Sequence, residues 1–207
     1  MATCLWTQKQ DIGPAPRSSF DLVYDTARSR VLAFGGQING APARDTWEWD
    51  GENWTQMSDI GPSARLGYAL AYDAARQRSI LFGGSSKGDL VNAEPLLGDT
   101  WEWDGEDWTQ LADTGPLPRA FHAMTYDSKR ERILLFGGLT ERQGKFVTFA
   151  DTWSWDGNEW TEQQDASPPG RNVHRLVYDT LRDRVVLFGG ITDAKVANDT
   201  WEYDGSL

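Results

Sequence analysis

Cysteine and histidine are nearly absent from this chain: in 207 residues there are one Cys, Cys4, and two His, His122 and His174. A single thiol excludes an internal disulfide, so the fold does not depend on an oxidising compartment. Long apolar runs are missing as well. No stretch approaches the ~20 apolar residues of a membrane span, and the opening MATCLWTQKQDIGP lacks a basic segment leading into an apolar one. The expectation is a soluble chain without a signal peptide, hence cytoplasmic. Positive charge is also in short supply, with 20 Lys+Arg against 31 Asp+Glu and a formal charge of −11. That balance repels phosphate backbones and anionic lipid, which argues against nucleic-acid and membrane partners.

Aromatic residues, by contrast, are plentiful: 11 Trp, 8 Phe and 6 Tyr. Each such ring can bury roughly 150–250 Å², so stacked aromatic surfaces should carry much of the stability. The rings fall in a repeating pattern. Phe-Gly-Gly occurs at Phe34-Gly35-Gly36 and again with Gly83-Gly84, Gly137-Gly138 and Gly189-Gly190, at intervals of 48, 54 and 52 residues. A period of about 50 residues built from short strands means a propeller.

Each repeat reads as four elements. A Pro/Gly loop leads through Arg17, Arg65, Arg119 or Arg171 into strand a, which ends in Tyr-Asp (Tyr24-Asp25 in the first copy). After an Asp-x-x-Arg-x-Arg turn comes strand b, an unbroken apolar run (VLAF, SILF, ILLF, VVLF) that must be covered on both faces. Strand c is DTWEWD or a near copy, at 45–50, 99–104, 151–156 and 199–204, and its two aromatics share one face. Its Trp101 and Trp153 are expected between blades. An Asp-Gly turn then leads to strand d, carried by Trp54, Trp108 and Trp160. The fold class is therefore all-β: a β-propeller of four four-stranded blades, 17–56, 65–110, 119–162 and 171–205, forming one domain over 1–207. The fourth blade lacks its own strand d. Residues 3–8, containing Leu5-Trp6-Thr7-Gln8, have the wording of one and are expected to complete that blade, closing the ring and favouring a monomer over a homodimer.

These marks resemble the kelch repeat, in particular the bacterial galactose-oxidase-like kelch group. The likeness covers nearly the whole chain, although kelch propellers usually have six or seven blades. Some kelch propellers receive acidic peptides on one loop face, and the resemblance implies the same possibility here. The enzymes of the group set requirements that this sequence does not meet. The copper oxidases need a Tyr–Cys link, and Cys4 belongs to an outer strand; the plant specifier proteins need an Asp four residues before a His, where this chain has Pro118 and Gly170. No catalytic residue, metal or cofactor is expected, and His122 and His174 stand where the other repeats have Phe20 and Tyr68.

Alternating strand direction puts the d–a and b–c loops on one face. The b–c loops differ most between repeats, with 8, 14, 12 and 8 residues. Binding surfaces concentrate on such loops, and the two long ones supply Lys87, Asp89, Glu94, Arg142, Lys145, Phe146 and Phe149. The four arginines at the start of strand a form a second candidate, a set converging on the axis to hold an anion or an acidic segment. The expectation is a non-catalytic scaffold for a protein segment, a peptide or a small anionic ligand. The alternative is a structural module, or a part of a larger propeller, that assembles with other blades, with metal-dependent catalysis at His122 and His174 a remote third.

Overall fold

The computed structural model describes residues 6–9, 12–88, 96–163 and 168–205, and all the regular structure in them is β. Four antiparallel meanders follow one another. The first consists of β1 (Leu22–Asp25), β2 (Arg30–Ile38), β3 (Ala41–Trp49) and β4 (Trp54–Ser58). β5 (Ala69–Asp73), β6 (Arg78–Ser85), β7 (Leu96–Trp103) and β8 (Trp108–Ala112) form the second. The third begins with β9 (Ala123–Asp127) and β10 (Arg132–Phe136), is interrupted by the hairpin β11 (Leu139–Arg142) and β12 (Lys145–Thr148), and resumes with β13 (Thr152–Trp155) and β14 (Trp160–Gln163). In the fourth, a short pair β15 (Arg171–Asn172) and β18 (Ile191–Thr192) flanks a sheet of β16 (Arg175–Asp179), β17 (Arg184–Phe188) and β19 (Thr200–Tyr203). No helix among the described residues is long and apolar enough to cross a membrane.

Local chemistry sets the turns. Asp25 accepts the N–H groups of Ala27 and Arg28 at 3.0 Å and holds the Arg28 side chain at 2.7 Å, so one carboxylate closes the a–b turn. Asp50 does the same at the c–d turn, accepting from Glu52 at 2.8 Å and Asn53 at 2.7 Å; Asp104 and Asp156 repeat it. The glycine pairs do more than end strand b. In the first two sheets the strand runs on through a bulge at the pair. At Gly83, where φ is 68°, a Cβ would lie 2.7 Å from the carbonyl oxygen of Arg119 in the next sheet. The pair therefore lets neighbouring sheets touch backbone to backbone, with Gly36 N–H donating to Arg65, Gly84 to Arg119 and Gly138 to Arg171 at 2.8–3.0 Å.

The core lies between sheets. Leu32, Phe34, Leu81, Trp103 and Trp108 fill the interface between the first and second; Ile80, Phe82, Ile133, Leu135, Trp155 and Trp160 fill the next. The fully buried indoles are the second of each strand-c pair, Trp103 and Trp155, whereas Trp101 and Trp153 are only half-buried. Both rings nevertheless pack against the clusters between sheets, as expected from sequence, and their Nε1 groups donate to Asp99 and Asp151 at the loop end of the sheet. Glu48, on the face of strand c opposite the aromatics, is also buried; it accepts from Trp103 Nε1 of the second sheet at 2.9 Å and pairs with Arg28 at 2.8 Å.

The inner strands differ in burial along the series. The inner strand β5 is buried throughout, while β1 and β16 are largely exposed. Around the axis one backbone bond joins each sheet to the next: Gly67 N–H to Ser19, Phe121 to Gly67 and Val173 to Phe121, at 3.0, 2.6 and 2.9 Å. Among the described residues no fourth bond links Ser19 N–H to Val173. The expected closure by residues 3–8 is likewise not seen. Residues 1–5 lie outside the described residues, and Trp6 is fully exposed, at 105%, outside any strand. The fourth sheet accordingly has three strands among the described residues.

Candidate functional site

The four arginines do not converge on the axis. Each is held inside its own sheet by the Asp that opens strand c: Arg17 by Asp45, Arg65 by Asp99, Arg119 by Asp151 and Arg171 by Asp199, through paired bonds of 2.6–3.0 Å. Nη1 also donates to the first glycine of the Phe-Gly-Gly triplet, and Nε donates to the carbonyl two residues earlier, so the guanidinium also fixes the ends of strands b and c. Arg65 uses all its donors, the last on the Ser63 hydroxyl at 3.0 Å, and is 0% exposed. The same Asp accepts the strand-c indole N–H from Trp47, Trp101, Trp153 and Trp201. Burial pushes the Asp99 and Asp151 carboxyls up, but the arginine and indole bonds outweigh it and hold both below the usual range. The anion-binding arginine ring is thus replaced by four structural Arg–Asp–Trp units. A buried guanidinium must find a carboxylate, and the strand-c Asp is the nearest.

His122 and His174 are near enough for a charge on His174 to lower the His122 pKa. They take the place of Tyr68, whose ring packs edge-on against Phe34 and whose hydroxyl donates to the Phe34 carbonyl. His122 lies edge-on to Phe82 at 5.5 Å and His174 to Phe136 at 5.4 Å. Burial, followed by the Arg171 charge, pulls His174 down to about 4; burial and Arg119 pull His122 well below its ordinary value. Between these values and the ~6.5 of an unfolded His, the unfolded chain binds protons that the folded chain refuses. Stability should therefore be complete above about pH 6.5 and fall as the pH drops towards 4. Replacing His174→Tyr, as at Tyr68, should flatten that part of the profile by on the order of 1–3 kcal/mol. Urea midpoints between pH 4 and 7 check this, and parallel wild-type and variant curves would contradict it.

The loop face itself is as the sequence placed it. Short bridges bring each d–a segment against its b–c loop, Ser18 with Gln37, Leu66 with Ser85 and Ala120 with Leu139. Arg142, Lys145 and Phe146 stand exposed on the β11–β12 hairpin, Phe146 at 47%. Lys87 is exposed beside the second b–c loop, while Asp89 and Glu94 lie outside the described residues. The Arg119 guanidinium lies 3.9 Å over one face of the Phe149 ring, which also lines the groove beside the hairpin. Next to the hairpin is a groove lined by Leu96, Leu117, Pro118 and Arg142, with Leu117 53% exposed.

Along the axis lies a cavity of about 420 Å³ lined by the inner strands of all four sheets, a site not among those expected from sequence. Its walls are unlike at one level, where Asp21 and Arg175 stand in place of Ala69 and Ala123. Asp21 accepts the N–H groups of Leu22 and Leu70 at 3.0 Å, and burial raises its pKa against those bonds and the Arg175 charge. Aligning the repeats on themselves shows this break in symmetry, so the signal was present.

No family model matches this chain. Among curated proteins it is similar to the dynein alpha chain of the flagellar outer arm of Chlamydomonas reinhardtii, 33% identical over 96 residues, covering 43% of this chain and 2% of that protein. It is also similar to Mei4-dependent protein 6 of Schizosaccharomyces pombe, 32% identical over 97 residues, covering 42% of this chain and 13% of that one. The chain thus spans only a small part of the curated relatives it matches. Among solved structures, that of YjhT superposes with a TM-score of 0.72 at 13% identity, over 91% of this chain and 67% of the other. Such a likeness concerns the fold alone. Taken with consecutive four-stranded meanders joined face to face by buried indoles, it defines a β-propeller architecture.

Proposed function

We propose that this chain is a non-catalytic, kelch-type scaffold that holds an acidic peptide segment on the face of its b–c and d–a loops. The observation that carries the reading is the β11–β12 hairpin, which sets Arg142, Lys145 and an exposed Phe146 beside the apolar groove of Leu96, Leu117 and Pro118. An aromatic anchor next to basic side chains suits an acidic segment with one apolar residue, the local positive charge acting against the repulsion of a chain of net charge −11. The residues common to all repeats favour a structural role for the rest, since the Arg–Asp–Trp units and the turn aspartates are satisfied within the sheets.

The test is a displayed peptide library screened on the purified chain. Selected binders should be acidic, and Arg142→Glu with Phe146→Ala should weaken them about tenfold or more without changing the melting temperature. Glu52→Lys and Glu106→Lys on the opposite turns should leave binding unchanged. A library that yields no binder, or binders indifferent to the hairpin changes, would reject the reading.

A further inference from the structure

Consecutive sheets are joined by a recurring set of contacts. The strand-d indole of the later sheet packs on the strand-b Phe of the earlier one, Trp108 on Phe34 and Trp160 on Phe82, each at 5.3 Å. The same indoles donate Nε1–H to Thr46 and Thr100 at 2.8 Å and lie beside Trp103 and Trp155 of their own sheets at 5.5 Å. Between the third and fourth sheets this indole has no counterpart among the described residues. An apolar cleft lies there instead, lined by Phe136, Thr152, Leu176, Leu187, Trp201 and Tyr203. Phe136 and Thr152 correspond to the Phe and Thr that hold Trp108 and Trp160, and Tyr203 corresponds to Trp103 and Trp155.

The matching piece is elsewhere in the chain. Trp6-Thr7-Gln8 repeats the start of strand d, Trp54-Thr55-Gln56 and Trp108-Thr109-Gln110, and Trp6 is wholly exposed. The other contacts of the set are unmade at the two ends of the array. Phe188 is 57% exposed, against 0% for Phe34 and Phe82 and 4% for Phe136. Phe20, in the place of Tyr68 and His122, is 37% exposed.

We propose that a second copy of this chain docks head to tail. Its Trp6-Thr7-Gln8 segment adds to β19 as the fourth strand, with Trp6 entering the cleft opposite Tyr203. Its first sheet stacks on the fourth, Phe20 meets Phe188, and Ser19 N–H reaches the Val173 carbonyl. The occupant follows from continuity: the interface extends the series already made three times by the backbone bonds around the axis, with the same residue types on both sides. Such a contact is heterologous, so curvature decides between a closed ring and a longer row. The inference uses the ends of the array and not the loop face, so it stands or falls separately from peptide binding.

The mass of the 207-residue chain in solution tests it, at physiological salt because two copies of charge −11 repel each other. The wild type should weigh at least twice its 23.2 kDa. Trp6→Ala damages only the head and Phe188→Asp only the tail; both residues are exposed, so each variant should melt as the wild type does but run as a monomer. Mixing the two variants should restore one intact interface and give a 1:1 pair. A monomeric wild type, variants that stay associated, or a mixture that remains monomeric would each overturn the proposal; the first would place Trp6, if it fills the cleft, in its own molecule.

Discussion

Asp99→Ala should lower the unfolding free energy by about 3–5 kcal/mol, the usual cost of leaving one member of a buried ion pair without its partner. The guanidinium it abandons is Arg65, which is 0% exposed. Two of its five donors, on Nη1 and Nη2, would lose their acceptor, and so would the Trp101 N–H. The loss would also loosen the junction of strands b and c, because the same Arg holds the Gly83 carbonyl at 3.0 Å. The effect should be graded along the array. Asp151 is in the same position as Asp99, at 19% side-chain exposure, whereas Asp199 in the open fourth sheet is 40% exposed and should cost clearly less. Urea or thermal unfolding of the three alanine variants checks both size and order. A cost below about 1 kcal/mol for Asp99→Ala would show that Arg65 finds water or another acceptor.

The second large effect is expected at Trp155→Ala, at about 3–5 kcal/mol. Trp155 is 0% exposed and packs among Ala69, Ile80, Phe82 and Trp160, so its removal opens a cavity between the second and third sheets. Both walls are strands tied into their own sheets, which limits how far the gap can collapse. Trp153→Ala, two residues away on the same strand, should cost less, since that ring is half-buried and its main polar bond is to Asp151 near the loop face. Equal losses at the two positions would mean that the sheets are stacked by strand c as a whole.

Much of this was legible in the chain itself. The Phe-Gly-Gly triplets, the Tyr-Asp strand ends and the Asp-Thr-Trp strands gave the four meanders and their phase, because strand pattern and turn chemistry are local properties repeated with a period. The sharing of one face by the d–a and b–c loops also followed, since it needs only alternating strand direction. What remained hidden depended on residues far apart. Arg65 and Asp99 are 34 residues apart, and nothing in the spacing says that the two charges will be buried together and not turned to the axis. The choice of Trp155 over Trp153 as the buried ring reflects how the third sheet lies against the second and which indole can reach an aspartate.

Sequence alone determined that this protein is a series of like antiparallel sheets joined through aromatic rings, because each repeat carries its own strands, turns and apolar surfaces. Tertiary structure alone decided that Arg17, Arg65, Arg119 and Arg171 are internal struts, and that the backbone bonds around the axis run from Ser19 to Val173 without one joining these two. The physical reason is that a repeat records how one sheet meets the next but not the small angle between them. That angle, summed over the whole series, settles whether the first sheet ever reaches the last.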